Sequence, residues 1–340
     1  MITKEPNIDE LIQEFVPEIE KILKNQINQI NDGYEDLRFM LRYHMGWENG
    51  DNFNSGGKRI RPTLLLLSIL ATGGKWRNGL TAAASVELIH NFSLIHDDIE
   101  DNSEYRHGRT TLWKKWGIPQ ALNTGDLMFT LAQKALLDGV GDLSNEIILK
   151  SLIILQNTCM RLTKGQYLDL LFETKDVISV DDYFEMISGK TAALLSCATE
   201  IGATISGANK MEIESLGKYG YSLGMAYQAI DDILGIWGDE KVIGKSSDND
   251  LIAKKKTLPI LHALQNNTNF RKIWLEDEVN PENFILLKNL MEDAGSKDYA
   301  EEIAAKFTSD AKNALRTSIK DSLIYKPFLM LTDRLLVRNY

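Results

Sequence analysis

Two groups of aspartates carry most of the chemical potential of this sequence. Asp97, Asp98 and Asp101 close the stretch Leu88-Ile89-His90-Asn91-Phe92-Ser93-Leu94-Ile95-His96. At about 100° per residue in a helix, Asp97 and Asp101 share a face and Asp98 lies beside it. Gln228, Asp231 and Asp232 form a second group on one helix side, and Met225, Ala226, Tyr227, Ala229, Ile230, Ile233 and Leu234 around them carry no charge. Carboxylates gathered this way repel one another unless cations neutralise them. Hard divalent cations with oxygen ligands do so, and Mg²⁺ characteristically shares its shell with a substrate phosphate. One such cluster fits a solvated helix end equally well. Two, each after long apolar sequence, favour a metal site.

Basic residues answer both groups. Ser55-Gly56-Gly57-Lys58-Arg59-Ile60-Arg61-Pro62 opens a helix. Its glycines let backbone approach an anion, and a helix N-terminus favours negative charge. Lys58 and Arg61, three apart, point the same way. Arg106, His107 and Arg109 follow the first aspartates. Lys190-Thr191 lies in Ser188-Gly189-Lys190-Thr191-Ala192-Ala193, and Lys245 and Lys254-Lys255-Lys256 follow the second group. Lys254 and Lys256 read more simply as a solvated face. Acids beside bases, twice over, describe a site for Mg²⁺ and strongly anionic phosphates: the acids hold metal, and Lys and Arg hold the remaining oxygens.

Helices must position these side chains. Only seven prolines occur in 340 residues. Leu11, Ile12, Phe15, Ile19, Ile22 and Leu23 repeat at three and four, as one buried helix stripe does. Similar patterns run through roughly 60–72, 80–101, 119–138, 143–173, 181–206, 210–237, 258–265, 283–293, 298–319 and 321–337. No convincing period-two strand appears, so the expected class is all-α. Asn102 to Arg109 and Gly238 to Lys256 read as polar loops, and Asn266 to Asn269 as a surface loop. Length alone suggests two domains, but no segment resembles a linker, so residues 1–340 are expected to form a single domain.

Composition narrows the class further. Asp plus Glu number 48 against 38 Lys plus Arg, a net charge of −10. That argues against nucleic acid as a partner and against docking on anionic lipid by charge alone. Two cysteines, Cys159 and Cys197, are too few for a disulfide framework. A reducing cytoplasm is the expected location. Met1 to Glu10 lacks a basic start and an apolar stretch, so no signal peptide is expected. The longest apolar-rich run, Leu64 to Ala71, is too short to span a bilayer.

With these motifs in this order, roughly residues 50 to 262 resemble the trans-isoprenyl diphosphate synthase (polyprenyl synthetase) family, whose signature is Asp-Asp-x-x-Asp on two facing helices. The first copy is Asp97-Asp98-Ile99-Glu100-Asp101, and the second, incomplete, is Asp231-Asp232-Ile233-Leu234-Gly235. The resemblance implies a helical bundle around a deep central cavity, a homodimer, and condensation of isopentenyl diphosphate with an allylic diphosphate. It implies that Gly57, Lys58, Arg61 and His90 bind isopentenyl diphosphate. Arg106, Lys190, Thr191, Gln228, Lys245 and Lys255 would bind the allylic diphosphate. Gln166 and Asp169, in Gly165-Gln166-Tyr167-Leu168-Asp169-Leu170, match a further motif near the metals. About three Mg²⁺ ions per site are expected from the family. Asp97, Asp101 and Asp231 are the strongest ligand candidates, with Asp98 and Asp232 shaping the same sites. The implied reaction is loss of diphosphate from the allylic substrate, attack on the carbocation by the isopentenyl double bond, and proton loss to the departing diphosphate.

Two positions depart from the pattern. His107 stands where the family usually carries a second arginine, and a neutral imidazole holds diphosphate less strongly than a guanidinium. His107→Arg is therefore expected to lower the isopentenyl diphosphate KM. Gly235 replaces the third aspartate of the second motif. Product length is expected to depend on Phe92 and Ser93, five and four residues before Asp97. One aromatic beside a small residue resembles geranylgeranyl diphosphate synthases, which make a twenty-carbon product. An ideal helix, however, places Ser93 nearer the aspartate face than Phe92, so Phe92 fits ordinary core equally well. The competing readings are a farnesyl diphosphate synthase, a terpene cyclase on the same fold, a phosphohydrolase built on His96-Asp97, and a non-catalytic partner subunit. Lys58, Arg61 and His90 disfavour the cyclase, which has little use for a second diphosphate site.

Overall fold

The computed structural model describes residues 6–48, 58–139, 142–238, 249–252, 254–276, 281–319 and 322–336. They are almost entirely helical: α1 (Ile8–Asn28), α2 (Glu35–His44), α3 (Ile60–Ala71), α4 (Leu80–Glu100), α5 (Leu112–Trp116), α6 (Ile118–Leu137), α7 (Asn145–Glu173), α8 (Val180–Ile187), α9 (Ala193–Ile205), α10 (Lys210–Trp237), α11 (Asn249–Ile252), α12 (Leu258–Asn266), α13 (Thr268–Glu276), α14 (Pro281–Asp293), α15 (Ser296–Ser318) and α16 (Ser322–Leu336). The chain divides into two compact units. One holds Met1–Cys159, Cys197–Leu216 and Ser318–Phe328. The other holds Met160–Ser196, Gly217–Thr317 and Leu329–Tyr340.

Local chemistry sets the helix starts. Asn7 and Glu10 form a reciprocal capping box at α1, as Ser179 and Asp182 do at α8. Asn209 and Glu212 exchange the same pair of bonds at α10. Each satisfies amide N–H groups that have no partner within the helix.

In the first unit the core runs along α3 and α4. Leu64, Leu65, Leu66 and Leu67 are all fully buried, as are Ala82, Ala83, Ala84, Val86, Leu88 and Ile89. A helix apolar around its whole girth has neighbours on every side. Close approach needs small residues here. A Cβ at Gly202 of α9 would lie 2.3 Å from the Leu65 carbonyl oxygen, and one at Gly125 of α6 would lie 2.4 Å from His96 Nε2. His96 of α4 is thus a packed residue, its ring 4.7 Å from that of Phe92.

The second unit is built on a different contact. Between α8 and α9, Ser188–Ala192 winds as a π turn. A Cβ at Gly165 of α7 would meet the Lys190 backbone nitrogen at 2.2 Å, one at Gly189 the Arg161 carbonyl at 2.5 Å, and one at Gly224 of α10 the Ala192 Cα at 2.5 Å. Backbone therefore meets backbone on both sides of the turn that carries Lys190 and Thr191. Mid-helix π turns concentrate at functional sites.

Three loop expectations are corrected. Within Gly238–Lys256, Asn249–Ile252 is the short helix α11. Within Asn102–Arg109, Tyr105–Arg106 (β1) and Arg109–Thr110 (β2) pair antiparallel. The two turn residues have positive φ, His107 at 50° and Gly108 at 73°. That is the primed two-residue turn that matches strand twist. The alternation is too short to show as a period. Asn266–Asn269 is also no loop, because Asn267 alone separates α12 from α13. Its amide N–H bonds back to Ala263, and its side-chain oxygen accepts from Phe270 N–H at 2.9 Å. One residue both ends a helix and begins the next.

Candidate active site

In the first unit, α4 delivers the first aspartates at its C-terminal end. Asp98 is buried and accepts a hydrogen bond from Arg106 Nε at 2.8 Å. Burial pushes its carboxyl above the usual range, the Arg106 charge and hydrogen bond oppose that, and Asp101 adds to it. Asp97 is half-buried and Asp101, the C-cap, is exposed. The pair expected to share a face thus reaches solvent, while the aspartate between them fastens the hairpin to α4.

The cations of this unit crowd one another. Arg59, the N-cap of α3, has φ 45° and is buried. It donates from Nε to Glu20 at 2.6 Å and from Nη1 to Glu87 at 2.7 Å. Trp47 Nε1 also donates to Glu20, at 2.9 Å. With Arg59 anchored inward, Lys58 is exposed and Arg61 half-buried. Arg109 reaches back to the Tyr43 and His44 carbonyls. Burial, then the charges of Arg106, Arg109, Arg59 and His107, hold His44 down at about 3. Burial, then Arg61, Arg106, Arg59 and His44, hold His90 well below the ordinary imidazole value. Imidazoles kept neutral beside several guanidiniums mark a place suited to an anion. His107 is exposed at the hairpin tip.

In the second unit, Lys190 pairs with Asp169 of α7. Thr191 Oγ1 donates to Gln228 Oε1 at 2.9 Å, and Gln228 Nε2 donates to Asp232 Oδ1 at 2.9 Å. Asp232 Oδ2 accepts from Tyr183 Oη at 2.5 Å and from Leu258 N–H at 2.9 Å. Asp232 is buried, whereas Asp231 is exposed. Gln166 and Gly235 are half-buried and Lys255 is exposed. Lys254 and Lys256 are not merely solvated. Lys254 Nζ donates to the Trp274 carbonyl at 3.1 Å. Lys256 donates to the Glu173 carbonyl at 3.4 Å, and burial, with Lys254 adding, lowers its ammonium below the usual value. Gly57 and Lys245 lie outside the described residues.

The donor set suits a hard cation shared with a ligand. Among the described residues no three His, Cys, Asp or Glu side chains converge into a closed metal cage. Mg²⁺ does not need one, because it is commonly held by one or two carboxylates plus waters and substrate phosphates. In the first unit Asp101 is exposed and Asp97 half-buried, and in the second Asp231 is exposed.

Phe92 packs its ring 5.1 Å from Phe129 of α6, and Ser93 Oγ donates to the His90 carbonyl at 2.8 Å. Sequence reasoning missed Arg59, His44 and Tyr183. For Arg59 a signal existed: Glu87 is a lone acid within the apolar run around Ala82–Ile89, and a lone buried acid requires a partner.

The polyprenyl synthetase family model matches residues 49–289. The chain is 39% identical over 237 residues to the geranylgeranyl diphosphate synthase of Mycobacterium tuberculosis, covering 69% of this chain and 67% of that protein. It is 35% identical over 284 residues to the (2E,6E)-farnesyl diphosphate synthase of Mycobacterium bovis, covering 81% of this chain and 78% of that one. The crystal structure of a polyprenyl synthetase from Streptomyces coelicolor superposes with a TM-score of 0.88 at 33% identity, covering 97% of this chain and 100% of that chain.

Proposed function

This chain belongs to the polyprenyl synthetase family, with the all-α isoprenoid synthase fold, and on that premise we propose how it acts as a short-chain trans-prenyltransferase. It joins isopentenyl diphosphate to an allylic diphosphate (dimethylallyl, geranyl or farnesyl), and its product is geranylgeranyl diphosphate. The observation that carries this reading is the gathering of Arg59, Arg61, Arg106 and Arg109 in the first unit, whose charges add to burial in lowering His44 and His90, in the same unit as Asp97 and Asp101 at the end of α4. Polyanion recognition and divalent-metal chemistry both have residues to serve them.

Each residue has a task. Lys58, Arg61 and His90, with Gly57, hold the isopentenyl diphosphate, and His107 contributes at the hairpin tip. Arg106, Lys190, Gln228, Lys245 and Lys255 hold the allylic diphosphate, with Thr191 and Gln166 beside them. Asp97 and Asp101 of α4 and Asp231 of α10 would hold Mg²⁺, which when bound would neutralise charge developing on the leaving diphosphate. Phe92 and Ser93 set product length. The protein supplies orientation and electrostatics rather than a covalent nucleophile.

The family match runs across both compact units, which supports residues 1–340 acting as one synthase domain. No helix of the described residues is long and apolar enough to cross a membrane, and the proposed location is the cytoplasm. A homodimer is supported by a stripe along α7, where Leu149, Ile153, Met160 and Tyr167 are all exposed. Large apolar side chains repeated on one helix face mark an interaction surface.

The test supplies Mg²⁺ and isopentenyl diphosphate with dimethylallyl, geranyl or farnesyl diphosphate and identifies products by mass. Elongated diphosphates ending at twenty carbons are expected. Hydrocarbons or alcohols formed without isopentenyl diphosphate would indicate a cyclase instead. An end at fifteen carbons would indicate a farnesyl diphosphate synthase.

A further inference from the structure

The hydrogen bonds around Asp232 have a direction that chemistry forces. A carboxylate only accepts, so the Gln228 atom facing it must be the amide nitrogen. The Gln228 oxygen therefore faces Thr191, and a hydroxyl facing a carbonyl must donate. The chain runs Thr191 to Gln228 to Asp232, with steps of 2.9 Å and 2.9 Å. Asp232 is held in turn from two other elements. Tyr183 of α8 donates at 2.5 Å, and Leu258, at the first position of α12, donates its backbone N–H at 2.9 Å. An anion at a helix N-terminus is favoured by the helix dipole as well.

We infer that Asp232 is a positioning residue rather than a metal ligand: it fixes the direction of this chain, so that Thr191 presents lone pairs and not its proton. A Thr191 hydroxyl committed to Gln228 cannot also donate to a diphosphate oxygen, so direct donation to diphosphate passes to the neighbouring basic groups. The inference rests on the synthase reading above.

Asp232→Asn reverses the chain. The fixed Leu258 N–H keeps the asparagine oxygen on its side, so the new amide N–H₂ faces Gln228. Gln228 must flip, its own N–H₂ then faces Thr191, and the Thr191 proton is released outward. Adding Gln228→Glu restores the original direction: the new carboxylate accepts from the asparagine amide on one side and from Thr191 on the other. That pair of substitutions leaves the total charge unchanged.

The test compares wild type, D232N and Q228E/D232N in steady-state kinetics, and measures calorimetrically the binding of inorganic diphosphate with Mg²⁺ to each resting protein. Expected at saturating substrate is a fall in kcat of about tenfold or more for D232N and recovery to within about threefold in the double variant, with the Mg²⁺–diphosphate affinity of D232N equal to that of wild type; the double variant, altered at Gln228, binds diphosphate more weakly and is read for kcat alone. Metal ligation by Asp232 would instead weaken that affinity in D232N, with no rescue by Q228E, and this result overturns the inference. If D232N does not fold, the double variant decides: active, it sustains the inference; folded and inactive, or unfolded despite matched hydrogen bonds, it overturns it. A wild type that forms no prenyl diphosphate would sink the synthase reading alone, because the binding comparison still tests the role of Asp232.

Discussion

Arg59 Nη1 lies 2.7 Å from Glu87 Oε1, and almost none of either side chain reaches solvent. The same guanidinium bonds Glu20 of α1, so one buried cation joins three helices between the exposed Lys58 and the half-buried Arg61, the residues proposed to hold isopentenyl diphosphate. Arg59→Ala leaves two buried carboxylates uncompensated. Stability is expected to fall by about 3–5 kcal/mol, measured by urea denaturation. A loss under about 1 kcal/mol would show that the carboxylates find other partners.

His44 makes stability depend on pH. Its native value of about 3 lies below its ordinary 6.5, so between those values the unfolded chain binds more protons. The stabilisation is complete above about pH 6.5 and is lost as pH falls through that window. His90 acts in the same direction. Melting temperature is expected to drop between about pH 7 and pH 4, less steeply in His44→Gln. Equal slopes in the two proteins would remove His44 from the explanation.

Gly189→Ala places a methyl group where the Arg161 carbonyl stands at 2.5 Å. The expected cost is about 1–3 kcal/mol of overpacking, with a raised KM for the allylic diphosphate because Lys190 and Thr191 move with the backbone. Calorimetry and steady-state kinetics check the two effects separately. A variant with normal stability and kinetics would show that the turn can shift without consequence.

Phe92→Ala removes a ring packed against Phe129 and His96. Products longer than those of the wild type are expected by mass spectrometry. Lower stability with unchanged chain length would assign Phe92 to packing between α4 and α6.

How much of this was legible in the sequence depends on what each residue answers to. Leu11, Phe15, Ile19 and Leu23 reveal α1 because a buried stripe repeats with the helix itself. The facing of Asp97 and Asp101 follows from spacing for the same reason. The hairpin was hidden because two strands of two residues hold no period, although His107-Gly108 is turn chemistry. Asn267 read as loop because one residue serves two helices. The partners of Asp232 come from Tyr183, 49 residues earlier in the chain, and Leu258, 26 later. No local pattern encodes bonds of that range. Motif spacing marked Asp98 and Asp232 together with their neighbours, and only burial separates them.

The π turn at Ser188–Ala192 also governs how this stretch tolerates changes of length. A π turn holds one residue more than the α-helical turn it replaces. Deleting one residue there would let an ordinary α turn span the same angle, so α9 would keep its phase while the backbone contacts at Gly189 changed. A deletion further along α9 has no such slack: it would re-phase every later side chain by about 100° and draw it back by about 1.5 Å, turning buried residues such as Ala198 and Ile201 out of their present contacts. The extra residue serves the turn itself and not the helix that follows.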